Sequence, residues 1–217
     1  MNKKFTELAK KSKVIVIKVG SNILVNEKHA LRKKWLTSLI EDVQKLQKKG
    51  SKIIIVSSGA IALGRNILSK KKLTNLHEKQ AAASIGQIQL SQQWQKAFAK
   101  FNIQSSQILI TAEDLNERRK YLNIRNTIYS LLDLNVVPII NENDTTSTEE
   151  IRFGDNDKLS AMIANALSAE LLILLSDVNG LYTANPKKST DAKLITSVEE
   201  VDQEIEKYID KDLSEFG

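Results

Sequence analysis

Four apolar runs of strand length constrain the fold of this chain most: Val14–Val19, Lys52–Ser57, residues 136–140 and Leu171–Leu175. Each is apolar almost throughout, rather than alternating apolar with polar. A strand of that kind must be buried on both faces. Residues 103–110 read as a further strand. Between the strands lie segments with apolar residues at helical spacing: 31–46, a short one from Ser58 to about Asn66, 78–100, 116–134 and 157–169, with a last one at 198–209. Strand and helix alternate along the chain. That order predicts an α/β fold, a three-layer α/β/α sandwich with a mainly parallel central sheet. At 217 residues, with 41% hydrophobic content, the chain suits one domain with a sizeable core.

Ligands of open α/β sheets bind beyond the carboxyl ends of the strands, so the residues that follow each strand are the candidates for chemistry. After the first strand come Lys18, Val19, Gly20 and Ser21; after the second, Ser57, Ser58 and Gly59; after the fifth, Ser176 and Asp177. The fourth strand opens onto NENDTTSTEEIRFGDNDKLSA (141–161), dense in carboxylates and amides. Each residue has an ordinary reading beside the functional one. Lys18 can snorkel from a strand end, or join the glycine behind it in holding phosphate. Ser58 can cap a helix, or face an anion. One of Asp155 and Asp157 can cap the following helix; that leaves Asp144, Asn156 and the other aspartate over, which favours a binding site. Residues 179–180 read as a turn and 183–191 as a loop.

Composition removes several alternatives. The chain has no cysteine, and its two histidines, His29 and His77, lie far from the acidic stretch. Thiolate chemistry, a Ser-His-Asp triad and a histidine metal cluster are therefore not expected. The net charge of +6 comes mostly from lysines on predicted helix faces and in turns. They are not interleaved with aromatics, so nucleic acid is not the expected partner. No run approaches the ~18 apolar residues of a membrane span, and a cytoplasmic protein is expected. Lysine, amides, hydroxyls and carboxylates around one edge fit phosphoryl transfer to an acid. A carboxylate acceptor is ionised at pH 7 and needs no base, so positioning and charge neutralisation suffice.

Four blocks, VIVIKVGSNIL, IIIVSSGAIALG, VVPIINENDTTSTEEIRFGDNDKLSA and LLILLSDVNGLYTANP, resemble the amino-acid kinase family in its own order, and PIINEND with GDND resembles its glutamate-phosphorylating branch. The resemblance implies ATP-dependent phosphorylation of the γ-carboxylate of L-glutamate, the first step of proline biosynthesis, with Mg2+ as cofactor and proline as feedback inhibitor. It implies Lys18 and Gly20 at the ATP phosphates, Asp157 orienting Lys18, and Ser176 and Asp177 on the nucleotide. Ser58, Asp144, Asn156 and Arg152 would serve glutamate, and no residue is expected to ligate a metal directly. The small residues of 81–86 are expected to pack closely, within the monomer or in a homo-oligomer. The family continues beyond a position like 214–217 into a GTGGMxTK segment with a second phosphate-binding lysine. The expectation is thus one kinase domain, 1–217, without its C-terminal part. The alternative is a module that binds glutamate or proline without turnover.

Overall fold

The computed structural model describes residues 3–26, 30–69, 72–147, 155–203, 205, 206 and 208. Its backbone divides into two compact units, Met1–Leu175 and Ser176–Gly217.

The first unit is built on strands β1 (Val14–Val19), β2 (Lys52–Ser57), β3 (Ser105–Ile110), β4 (Val137–Glu142) and β5 (Leu171–Leu175). They form one sheet in the order β3-β4-β2-β1-β5, with every pair parallel. The isoleucines and valines of β1 and β2 sit at the centre, where β-branched side chains pack well on a pleated surface. β3 departs from the apolar rule. Its residues SSQILI are largely part-exposed, because it is an edge strand paired on one side only. β5 is the opposite edge, which accounts for the half-exposed Leu174.

Strand alternation separates two cores. Ile15, Ile17 and Val19 with Ile53 and Ile55 pack against α3 (Lys33–Gln47), α4 (Ala60–Ile67) and α5 (Leu76–Ala99), where Ile40, Leu63, Trp94 and Phe98 are fully or almost fully buried. Val16, Ile54, Val56 and Ile140 face the other way, toward Ile128 and Leu132 of α7 (Arg118–Asp133) and Leu159 and Ile163 of α8 (Asp155–Ala166). The expected α/β/α layering is observed. Lys18 follows Val14 and Val16 in the alternation, so β1 directs it to the α8 side.

The helix packing explains the small-residue face of α5. A Cβ added to Gly86 would lie 1.8 Å from the Ala60 carbonyl oxygen, and one added to Gly64 would lie 1.7 Å from that of Ala82. Only glycines allow α4 and α5 to come so close. Ala82 and Gly86 are therefore spent inside this unit.

Three helices, α1 (Lys3–Lys11), α2 (Ser21–Leu24) and α6 (Ala112–Asn116), escaped the sequence reading. The lysine-rich α1 is amphipathic but only nine residues long, and α2 is a single turn. The segment expected at 116–134 is α7, and the short α6 precedes it as a separate helix. A capping box starts α6: the Thr111 hydroxyl accepts from the Asp114 amide and the Asp114 carboxylate accepts from the Thr111 amide.

In the second unit, β6 (Leu181–Tyr182) and β7 (Leu194–Ile195) form a small antiparallel ribbon. Gly180 holds φ +145° in the turn before it, with Leu194 packed 3.3 Å from where a Cβ would stand. The helix expected at 198–209 is not seen over 198–202, where Val198 and Val201 are exposed; helical positions begin at Gln203. Apolar spacing alone does not make a helix when no surface covers it.

Candidate active site

Lys18 ends β1 beside the first turn of α8, and its ammonium lies 2.6 Å from the Asp157 carboxylate. The lysine side chain is 11% exposed and the aspartate 51%. A buried ammonium needs a partner, and Asp157 supplies it while its other side faces solvent. Asp157 is the third residue of α8, where the helix dipole favours a negative charge. The sheet alternation and the start of α8 thus converge on one ion pair. The alternative of a lysine snorkelling freely to water does not hold.

Gly20 follows, and opens α2 from the N-cap position. A Cβ there would stand 3.2 Å from the Leu175 carbonyl and 3.6 Å from the Lys18 ammonium. The glycine leaves room for the ammonium itself. Its own amide donates to the Leu175 carbonyl at 3.1 Å. Gly20 thus offers close approach rather than its amide.

At the neighbouring strand end, Gly59 takes φ +113° and occupies the N-cap of α4 without a side-chain cap. Ser58 does not cap the helix. Its hydroxyl accepts instead from the Asn156 side-chain amide at 2.7 Å. The same Nδ2 group of Asn156 reaches the Asn141 Oδ1 at 3.0 Å and the Ser57 carbonyl at 3.3 Å. Asn141 donates to the Gln87 Oε1 at 2.8 Å, and the Trp94 indole donates to the Ser57 hydroxyl at 2.9 Å. The Asn156 Oδ1 is buried and has no hydrogen-bond partner among the described residues.

Asp144 lies in the turn after β4 and lines a 270 Å³ cleft with Gln87, Gln107, Leu109 and Glu142 among its walls. Gln87 belongs both to that cleft and to the cluster around Asn156. Arg152 lies outside the described residues, as does the loop around it. α8 begins at Asp155, whose side chain also lies outside them. Ser176 and Asp177 are in the second unit, where the Asp177 carboxylate pairs with the Lys187 ammonium at 2.6 Å and is 3.4 Å from the Ser176 hydroxyl.

The structure thus brings together Lys18 with Asp157, and Ser58 with Asn156. It adds Ser57, Asn141, Gln87 and Trp94, which the sequence reading assigned no role. Asn141 carried a usable signal: it follows Val137 and Ile139 on the core-facing alternation of β4, yet is polar, and it is only 4% exposed. Gln87 and Trp94 carried none, since a long helix hides which of its polar atoms turn inward. Among the described residues, no group of three or more His, Cys, Asp or Glu side chains is placed to hold a metal ion, and no helix is long and apolar enough to cross a membrane.

The family model for the amino acid kinase family matches residues 13–217. A glutamate 5-kinase of Pelagibacter ubique (strain HTCC1062) is 50% identical over 209 residues, which are 96% of this chain and 57% of that protein. One from Brucella abortus (strain S19) is 52% identical over 193 residues, covering 88% and 51%. One from Nitrosospira multiformis is 47% identical over 209 residues, covering 96% and 56%. The chain spans about half the length of the curated relatives it matches. Among solved structures, a UMP kinase from Bacillus anthracis aligns with a TM-score of 0.59 at 18% identity, over 84% of this chain and 72% of that one. An isopentenyl phosphate kinase from T. acidophilum aligns with a TM-score of 0.59 at 14% identity, over 84% and 78%. Likeness at these identities is one of fold.

Proposed function

Because this chain belongs to the amino acid kinase family, we propose that it carries the acceptor site and the catalytic lysine for ATP-dependent phosphorylation of the γ-carboxylate of L-glutamate. The observation that carries this reading is the Lys18–Asp157 pair at the end of β1, one strand away from the Ser58–Asn156 cluster. The likeness to glutamate 5-kinases along most of the chain supports glutamate as acceptor.

A γ-carboxylate oxygen of glutamate attacks the γ-phosphorus of ATP. The bond from that phosphorus to the β–γ bridging oxygen breaks, and ADP leaves with the electron pair. The products are γ-glutamyl phosphate and ADP. No proton is transferred, so no general base is required, in keeping with a site built without histidine or cysteine. The Lys18 ammonium neutralises charge on the transferring phosphoryl group, and its burial strengthens that effect. Asp157 fixes where the ammonium sits. Asn156 and Ser58 hold glutamate, with Asp144 attracting its ammonium from the cleft. Mg2+ enters as part of the MgATP substrate; such ions are usually bound through phosphates with one or two carboxylates rather than by a protein cage.

Arg152 would lie near the acidic substrate, and Ser176 and Asp177 would contact the nucleotide; Gly20 would let the phosphates approach Lys18. Proline shares the α-carboxylate and ammonium of glutamate and is proposed to compete for the same groups. The reaction supplies proline biosynthesis and is placed in the cytoplasm.

Incubation with MgATP, L-glutamate and hydroxylamine tests the reading. γ-Glutamyl hydroxamate should accumulate with the native chain, and K18A should reduce it about 10²–10³-fold, as loss of one charge-stabilising group does elsewhere. Glutamate binding without any hydroxamate would instead mark a binding module without turnover.

A further inference from the structure

Five side chains form a hydrogen-bond relay with a single polarity. The Asn156 amide donates to Asn141 at 3.0 Å, Asn141 to Gln87 at 2.8 Å, Gln87 to the Ser91 hydroxyl at 3.2 Å, and Ser91 to the Gln107 carbonyl oxygen. The relay runs from the site, through the core face of β4 and one turn of α5, to the edge strand β3. An amide has one accepting and one donating end, so turning one member sets the next. At the site end the Ser57 main-chain carbonyl can only accept, and it meets the Asn156 Nδ2 group at 3.3 Å. With that group turned inward, the Asn156 Oδ1 is left buried with no partner among the described residues. A buried acceptor without a donor is costly, and a ligand donor relieves the cost.

We propose that Gln87 is a positioning residue for the acceptor substrate: by accepting from Asn141 it holds Asn156 with Oδ1 as a lone acceptor for the substrate ammonium. Resting on the glutamate reading above, this makes the relay a selector for α-amino acids over dicarboxylates that lack an amino group, such as glutarate. Gln87 need not touch the substrate to exert this effect. Among the described residues its Oε1 is the only acceptor given to the Asn141 amide, and Asn141 is buried.

Two substitutions separate polarity from charge. Q87E keeps an acceptor toward Asn141 but adds a negative charge near an anionic substrate. Q87K offers only donors, so Asn141 must turn its oxygen outward and set its NH2 against that of Asn156, while the added positive charge favours an anion. The relay and simple electrostatics therefore predict opposite orders. Gln87 is part-exposed and helical, and both replacements are compatible with that position.

The first readout needs no ligand. In the native chain and Q87E the Asn141 side-chain amide protons should be protected from solvent exchange by NMR, and in Q87K that protection should be lost. Equal protection in all three overturns the relay. The second readout is calorimetry with glutamate and with glutarate. Q87K should lose about tenfold or more of the glutamate preference and Q87E less than about threefold, the scale of one charge-assisted hydrogen bond. Affinity for MgATP should stay unchanged in both. Tighter glutamate binding by Q87K than by Q87E overturns the proposal. If the native chain does not bind glutamate at all, the substrate reading fails, while the exchange data still decide the relay.

Discussion

Gly86→Ala is the smallest change that should move the site from a distance. The new Cβ would stand 1.8 Å from the Ala60 carbonyl oxygen, 2.5 Å from the Gly64 nitrogen and 2.8 Å from the Ala60 carbonyl carbon. Ordinary contact begins at 3.4 Å, so α4 and α5 must separate by about 1.6 Å, since overlap on the repulsive wall cannot be absorbed otherwise. The obstructing atoms are backbone, and no rotamer change relieves them. Overpacking of this kind costs about 1–3 kcal/mol. Replacing a helical glycine by alanine returns about 1 kcal/mol through propensity. The clash exceeds what a single methylene usually imposes, so a net loss of about 1–2 kcal/mol is the expected result. Ala60 begins α4 directly after Ser58 and Gly59, so the displacement also reaches the Ser58 hydroxyl. A misplacement near 1 Å can cost about 10²-fold in a positioned reaction. Urea denaturation of G86A, with S84A on the exposed side of the same helix as control, reads the first effect; glutamate affinity reads the second. A G86A variant as stable as S84A and with native glutamate affinity would refute the close α4–α5 contact and its link to the site.

Three other substitutions probe separate parts of the account. D157N leaves the Lys18 ammonium without its charged partner, and the hydroxamate rate should fall about ten- to hundredfold, as when a positioned group is loosened, with KM for glutamate little changed; an unchanged rate would remove Asp157 from the site. W94F deletes the donor to the Ser57 hydroxyl and part of a fully buried ring, so unfolding free energy should drop by about 1–3 kcal/mol, measured by urea denaturation. D114A removes the carboxylate of the α6 capping box and should cost about 0.5–2 kcal/mol at neutral pH. The hydrogen bond from the Thr111 amide, helped by Lys120, holds the Asp114 carboxyl below its ordinary range. Its stabilising contribution is therefore complete above the unfolded value of about 3.9 and is lost as pH falls through the lower folded value. The gap between native chain and D114A should close over that acidic window.

The centre of the sheet was readable from side chains alone. Val14–Val19, Lys52–Ser57 and Leu171–Leu175 are strands at the bounds their apolar runs predict; the burial on both faces expected of such runs holds for β1 and β2, while β5 is a part-exposed edge strand. β3 was readable only as a strand; its serines and glutamine mark an edge, a property of the assembled sheet. The segment at 116–134 was readable as the single helix α7, whereas α6 before it was not, since its start rests on the Thr111–Asp114 capping box rather than on apolar spacing. At the site, the Lys18–Asp157 pair was foreseen through the resemblance, and the structure supplies its geometry. The Gln87–Asn141–Asn156 relay was not readable, since it depends on how α5 rotates against β4 and on which end of each amide points inward.

The central claim is that the acceptor is a carboxylate oxygen. Glutamate carrying oxygen-18 in its γ-carboxylate, incubated with the native chain, MgATP and hydroxylamine, tests it directly. Attack on phosphorus places one labelled oxygen between carbon and phosphorus. Hydroxylamine then attacks the acyl carbon and expels phosphate with that oxygen. The account predicts one oxygen-18 in each inorganic phosphate released, seen as an isotope shift by phosphorus NMR. Phosphate released without label would mean that water, not glutamate, had been phosphorylated, and would contradict it.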